Sequence, residues 1–250
     1  MNIRLGANIF HDIRHVIFDK DGTVIDSHIY WGEIIRRRAT KILSMLSESN
    51  IQREDLELAM GFDCISEKLL PNGPIALKNR EEVISILTCF LQFRGLGVNC
   101  IEIEKIFSQV HAEFIPKSED FIEAIDGVAQ VVQQLKTRNI ALSLITSDSE
   151  IAAISALKKL NLFEYFDLIL GKDSGCGHKK SGLPAVRACK LLNHKKAQTL
   201  VIGDAPMDYQ MALNAGIPNT ILIASGQISL RDLASTGSVV CSTIKDLHFT

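Results

Sequence analysis

No apolar run in the 250-residue sequence reaches the roughly 18 residues that a membrane-spanning helix needs. The opening stretch, Met1 to Arg14, lacks a signal-peptide core, so the chain is expected to stay in the cytoplasm. An excess of charge of one sign is also missing. Twenty-seven Lys and Arg against 29 Asp and Glu leave a formal charge of −2 and a pI near 6.4, which gives no field to attract nucleic acid or an anionic membrane. The six cysteines, Cys64, Cys89, Cys100, Cys176, Cys189 and Cys241, have no disulfide-scaffold spacing and are expected to be free thiols in or near the core. Cys176-Gly177-His178 offers two zinc ligands, but no second pair follows at a suitable spacing, so structural zinc is not expected. Repeats and low-complexity tracts are absent. What remains is a globular composition, 46% hydrophobic and 22% charged, on a chain long enough for one large domain or two smaller ones.

Short apolar runs that end in polar residues recur along the chain. His15-Val16-Ile17-Phe18 runs into Asp19, Ile140 to Ile145 into Thr146-Ser147-Asp148, and Thr199 to Ile202 into Gly203-Asp204. Each reads as a buried strand that delivers a polar group at its carboxyl end. Weaker strand candidates are Asp167 to Leu170, Thr220 to Ile223 and Val239 to Cys241. Helical patterns lie between them at Gly127–Thr137, Glu150–Leu160, Leu183–Leu192 and Pro206–Asn214. Strands alternating with helices imply parallel pairing through right-handed crossovers. The expected fold is therefore α/β, a Rossmann-like open parallel sheet flanked by helices, with ligands at the carboxyl ends of its strands.

Between residues 27 and 124 the alternation stops. Ile34, Ile35, Ala39, Ile42, Leu43 and Leu46, and later Val83, Ile84, Leu87, Phe90 and Leu91, follow a helical period. Turns are marked by Pro71-Asn72-Gly73-Pro74 and Arg94-Gly95-Leu96-Gly97. This reads as a helical cap domain, 27–124, inserted after the first strand of a core made of 1–26 and 125–250. Arg36-Arg37-Arg38 falls within it, either as a solvated helix face or as a cluster that captures an anionic substrate. His28, Tyr30 and Trp31 would enter the cap at the mouth of a site, as packing or as recognition.

Asp19 and Asp21 flank Lys20 at a strand end, where like charges repel unless a cation joins them. A hard divalent ion such as Mg2+ prefers carboxylate and carbonyl oxygens, water and substrate phosphate, and Asp19, Asp21 and Asp204 offer such ligands.

These residues and their order resemble the haloacid dehalogenase-like (HAD) hydrolase superfamily, most closely its phosphoglycolate phosphatase-like branch. The first motif of that superfamily stands as Asp19-Lys20-Asp21-Gly22-Thr23, the second as Thr146 in Leu144-Ile145-Thr146-Ser147, and the fourth as Gly203-Asp204-Ala205-Pro206-Met207-Asp208. The third, a lysine followed closely by prolines, departs from the pattern in His178-Lys179-Lys180-Ser181-Gly182-Leu183-Pro184. Lys180 is favoured as its lysine because Ser181 and Gly182 can start the next helix, with Lys179 as the competitor. The resemblance implies that Asp19 is the nucleophile and Asp21 the general acid and base. It further implies that Thr146, Ser147 and Lys180 bind phosphate, that Asp19, Asp21 and Asp204 hold Mg2+, and that Asp208 orients the lysine or metal waters.

The expected activity is hydrolysis of a small soluble phosphate monoester, phosphoglycolate-like or a sugar phosphate, through an aspartyl-phosphate. Alternatives are a sugar phosphomutase of the same superfamily and a scaffold that binds phosphate or a partner without turnover. The expected partner is a small phosphorylated metabolite, not nucleic acid and not a membrane. Taken singly, Asp21-Gly22 can be a turn, Thr146 a strand-end cap and Asp204 a helix cap; their joint order favours chemistry.

Overall fold

The computed structural model describes residues 1–46, 50–71 and 73–250. In chain order the elements begin with β1 (Ile3–Leu5), β2 (Asn8–Phe10) and β3 (His15–Phe18). A mostly helical stretch follows with α1 (Ser27–Met45), α2 (Arg53–Met60), β4 (Phe62–Asp63), β5 (Lys68–Leu69), α3 (Pro74–Leu77), α4 (Arg80–Phe93) and α5 (Cys100–Phe114). Alternation then resumes with α6 (Val128–Thr137), β6 (Ala141–Ile145), α7 (Glu150–Lys159), β7 (Leu168–Leu170), α8 (Leu183–Leu191) and β8 (Thr199–Gly203). The chain continues through α9 (Pro206–Ala215), β9 (Asn219–Ile223), α10 (Leu230–Ala234), β10 (Val239–Cys241) and β11 (His248–Phe249). Among the described residues no helix is long and apolar enough to cross a membrane.

Two units result: residues Met1–Asp26 with Ile122–Thr250, and residues Ser27–Phe121. The second junction falls before Ala124 because backbone hydrogen bonds tie the residues around it to the first unit. Asp26 N–H donates to Glu123 O at 2.9 Å and Ile125 N–H to Val24 O at 3.0 Å.

In the first unit six strands form one sheet in the order β10-β9-β8-β3-β6-β7, all parallel. All six strand candidates of the sequence lie in it. The central strand, β3, is buried at every position, and successive side chains of a strand point to opposite faces. Val16 and Phe18 therefore join Leu142, Leu144, Leu200 and Ile202 in one apolar layer. Ile17 joins Ile145, Val201, Ala188, Met211 and Ala212 in the other. Covering on both faces explains why these strands read as continuous apolar runs.

Helix boundaries follow local chemistry. Ser149 caps α7 by accepting from Ala152 N–H at 3.2 Å, Pro206 occupies the first turn of α9, and Gly216 ends α9 in the left-handed region with φ of 70°. A small antiparallel sheet, β11-β1-β2, had no signal in the sequence reading, since strands of two or three residues are shorter than any periodicity window.

The helical unit has its own core, in which Ile35, Ala39 and Ile42 of α1 meet Leu56, Met60, Leu87, Leu91 and Phe107. Asn79 and Asn99 start α4 and α5 with reciprocal caps involving Glu82 and Glu102. The three arginines of α1 diverge around this unit. Arg36 pairs with Glu67 and lies over the Phe62 ring, Arg37 pairs with Glu33 and lies over Phe114 and Phe121, and buried Arg38 stacks 3.9 Å from the Phe107 centroid. They pack on aromatic rings rather than forming one basic patch. Of the turn expected at Pro71-Asn72-Gly73-Pro74, Asn72 lies outside the described residues.

Candidate active site

Parallel pairing brings the ends of β6, β3 and β8 side by side, with Phe18 opposite both Leu144 and Ile202. The next residues of these strands carry the polar groups. Asp19 N–H extends the ladder to Ile202 O at 2.9 Å, and Thr146 N–H donates to Leu170 O at 3.0 Å. Asp19, Thr146 and Asp204 are all buried there.

Behind Asp19 the chain turns sharply. Lys20 O accepts from Val24 N–H and Ile25 N–H, both at 2.9 Å, and Gly22 adopts φ of 82°. Gly22 also makes room: a Cβ there would lie 2.2 Å from Asp204 Oδ2. Gly226, after β9, is as close on another side, its notional Cβ 1.7 Å from the same oxygen. Neighbouring Ser225 donates to Gly22 O at 2.6 Å. Ser225 and Gly226 escaped the sequence reading. The signal available was the same one used elsewhere, an apolar strand running into small residues.

Among the described residues one ammonium reaches Asp19 and Asp208. Lys179, buried, pairs with Asp19 Oδ1 and with Asp208 Oδ1 at 2.6 Å. Lys180, the lysine favoured from sequence, is exposed. Its backbone is held instead, N–H by His178 Nδ1 at 3.2 Å and C=O by Asn214 Nδ2 at 2.8 Å. The tight 3₁₀ turn Lys179–Ser181 ends at Gly182 with φ of 80°, where a Cβ would meet Ala215 N at 2.5 Å. Docking of that turn on α9 sends the first lysine inward and the second to solvent, so the structure brings Lys179 to Asp19 and leaves the favoured Lys180 outside the cluster.

Asp208, in the first turn of α9, accepts from Ala205 N–H at 3.1 Å through Oδ2, which leaves Oδ1 to orient Lys179. Thr146 Oγ1 accepts from Asp148 N–H at 3.0 Å, so its hydroxyl proton is available to another acceptor. Ser147 is exposed. The Asp21 carboxylate is 43% exposed and takes a hydrogen bond from Lys20 Nζ at 2.9 Å. Cys176 donates to Ser174 O and lies near Arg187, and no zinc-type cluster exists among the described residues.

Charge in the site is unbalanced. Burial pushes the Asp19 carboxyl up to about 6, the Lys179 ammonium works against that shift, and the Asp208 and Asp21 carboxylates add to it. Asp204 is raised well above the ordinary carboxylate range by burial, then by Asp19 and Asp208. Burial opposes the charge on Lys179, but Asp19 and Asp208 outweigh it and hold its pKa above the usual lysine value. Carboxylate oxygens of Asp19, Asp204 and Asp208 lie within 4.8 Å of one another. Fully ionised, these three carboxylates against one ammonium would leave two negative charges, and Asp204 forms no ion pair among the described residues. An all-oxygen donor set with a net charge of that size fits a hard divalent cation.

The same order of residues identifies the family. The model of the haloacid dehalogenase-like hydrolases matches residues 13–216. The chain belongs to that family. A provisionally named pyrophosphatase PpaX from Clostridium perfringens is 24% identical to this HAD hydrolase over 204 residues, 82% of this chain and 81% of that protein. A phosphoglycolate phosphatase from Aquifex aeolicus is 24% identical over 220 residues, 87% of this chain and 88% of that protein. In solved structures the fold recurs in a provisionally named beta-phosphoglucomutase from Thermotoga maritima. That chain matches with a TM-score of 0.65 at 20% identity, covering 91% of this HAD hydrolase and 93% of its own length.

Proposed function

We propose that this HAD-family phosphatase hydrolyses a small phosphate monoester, phosphoglycolate-like or a sugar phosphate, through a phosphoryl group carried on Asp19. The observation that supports the reading most is the buried constellation of Asp19, Asp204 and Asp208 around the single Lys179 ammonium. A carboxylate at the end of the central strand, with Oδ1 held by Lys179, would attack phosphorus in line through its other oxygen.

As the Asp19–phosphorus bond forms, the ester P–O bond breaks and the Asp21 carboxyl gives its proton to the departing oxygen. Asp21 then takes a proton from the water that cleaves the acyl phosphate and regenerates Asp19. Thr146, Ser147 and the Lys179 ammonium would bind the phosphoryl oxygens, where negative charge spreads in the transition state. Asp208 would hold Lys179 in position. The Asp19 carboxylate, the Asp21 backbone carbonyl and the Asp204 carboxylate would hold Mg2+, which supplies the neutralisation that lets two anions approach. The helical unit, inserted in the chain directly after the Asp19 loop, is read as the part that sets substrate preference.

A Mg2+-dependent phosphate-release screen over phosphorylated metabolites tests the reading. Wild type is expected to release phosphate without any bisphosphate activator, and Asp19→Asn to lose at least about a thousandfold in kcat while keeping its fold. Turnover retained in Asp19→Asn would rule out the nucleophile. Interconversion of sugar phosphates that needs a bisphosphate would point to the mutase alternative.

A further inference from the structure

Lys20 occupies the position between the two aspartates of the first motif, and its side chain is almost fully buried. Its ammonium lies 2.9 Å from Asp21 Oδ1 and 3.3 Å from Asp148 Oδ2, whereas those two carboxylates are 43% and 42% exposed. The bridge joins two loops that follow different strands. Asp148 is itself fixed: its Oδ1 accepts from Ser149 N–H at 2.8 Å, its backbone N–H donates to Thr146 Oγ1 at 3.0 Å, and its C=O accepts from Lys172 N–H at 2.8 Å.

A buried ammonium anchored on one side to a rigid loop constrains whatever it holds on the other. We infer that Lys20, braced by Asp148, is the positioning residue for Asp21. It grips Oδ1 so that Oδ2 is the oxygen that delivers the proton to the departing group. The inference rests on the reading of Asp21 as the general acid. Without Lys20 a half-exposed aspartate in a turn samples several rotamers, and the fraction aimed at the leaving oxygen falls. The same bridge sets the distance between the nucleophile's loop and the Thr146 loop.

Acid assistance matters most where the leaving oxygen is basic, so the test reads leaving-group dependence. Phenyl, 4-nitrophenyl and 2,4-dinitrophenyl phosphates are hydrolysed by wild type, Lys20→Met, Lys20→Arg, Asp148→Asn and Asp21→Asn, and log(kcat/KM) is plotted against leaving-group pKa. For Lys20→Met a loss of about tenfold or more is expected on phenyl phosphate, with about threefold or less on the dinitrophenyl ester. Lys20→Arg should recover part of the loss, and Asp148→Asn should steepen the plot less than Lys20→Met. Asp21→Asn should steepen it most.

A uniform loss across the three esters in Lys20→Met, with Asp21→Asn steepening as expected, overturns the positioning role and leaves the acid assignment intact. A flat response in Asp21→Asn overturns the acid assignment, and the inference with it. Circular dichroism checks each variant. If Lys20→Met does not fold, Asp148→Asn decides: a steepened plot supports the inference and an unchanged one overturns it.

Discussion

Lys179 and Lys180 are adjacent, yet one is buried against Asp19 and Asp208 and the other is exposed. On the proposed phosphate-binding role, Lys179→Met is expected to lower kcat by about a hundredfold or more, as removal of a preorganised transition-state donor does. Lys180→Met should stay within about threefold of wild type, since surface changes seldom matter. Steady-state kinetics on the pair, with folding checked by circular dichroism, separates the two. The sequence favours Lys180, the lysine that the structure leaves exposed. Its motif marks the lysine only by the residues after it, whereas the direction of each side chain depends on how Gly182 and Asn214 seat the turn against α9. Asp19, Thr146 and Asp204 were legible because each follows an apolar strand. Lys20 was invisible as a bridge, because Asp148 lies far along the chain and is brought near only by the pairing of β3 with β6.

Strand β3 carries a second polar device at its other end. His15 is fully buried, with Nε2 2.8 Å from Ser143 Oγ and Nδ1 3.3 Å from Thr199 Oγ1, so it ties β3 to both neighbouring strands. Burial and then the charge of stacked His194 push its pKa down to about 3 from an ordinary 6.5, with Asp167 pulling weakly the other way. The folded state thus binds its proton less readily than the unfolded chain. Stability from this group is full above pH 6.5 and is lost as pH falls from there toward 3, at up to about 1.4 kcal/mol per pH unit. Urea titrations between pH 6 and 4 should show a shallower pH dependence for His15→Gln than for wild type. The six parallel strands were readable because burial on both faces makes each a plain apolar run. The β11-β1-β2 sheet, by contrast, rests on pairing between segments too short to carry a pattern.

Across the whole molecule the buried acids tie stability to pH, and a bound cation would change that dependence. Asp19 is raised to about 6 and Asp204 is raised as well, so the folded protein without metal holds protons that the unfolded chain releases. Its stability from these groups is greatest at low pH and falls as pH rises from the ordinary carboxylate range through about 6. A divalent cation held by the proposed ligands would compete with those protons. The Mg2+-induced rise in Tm is expected to be larger at pH 7.5 than at pH 5 and to shrink in Asp204→Asn, measured by thermal scanning with and without a chelator. The central strand of the sheet has one more consequence. His15 meets partners 128 and 184 residues further along the chain, and contacts that distant form late. The helical unit, continuous from Ser27 to Phe121, can fold on the ribosome before β6 and β8 have been made. Val16, Ile17 and Phe18 then wait unpaired until β6 and β8 emerge, and the strand that ends at Asp19 is a segment a nascent chain must shield.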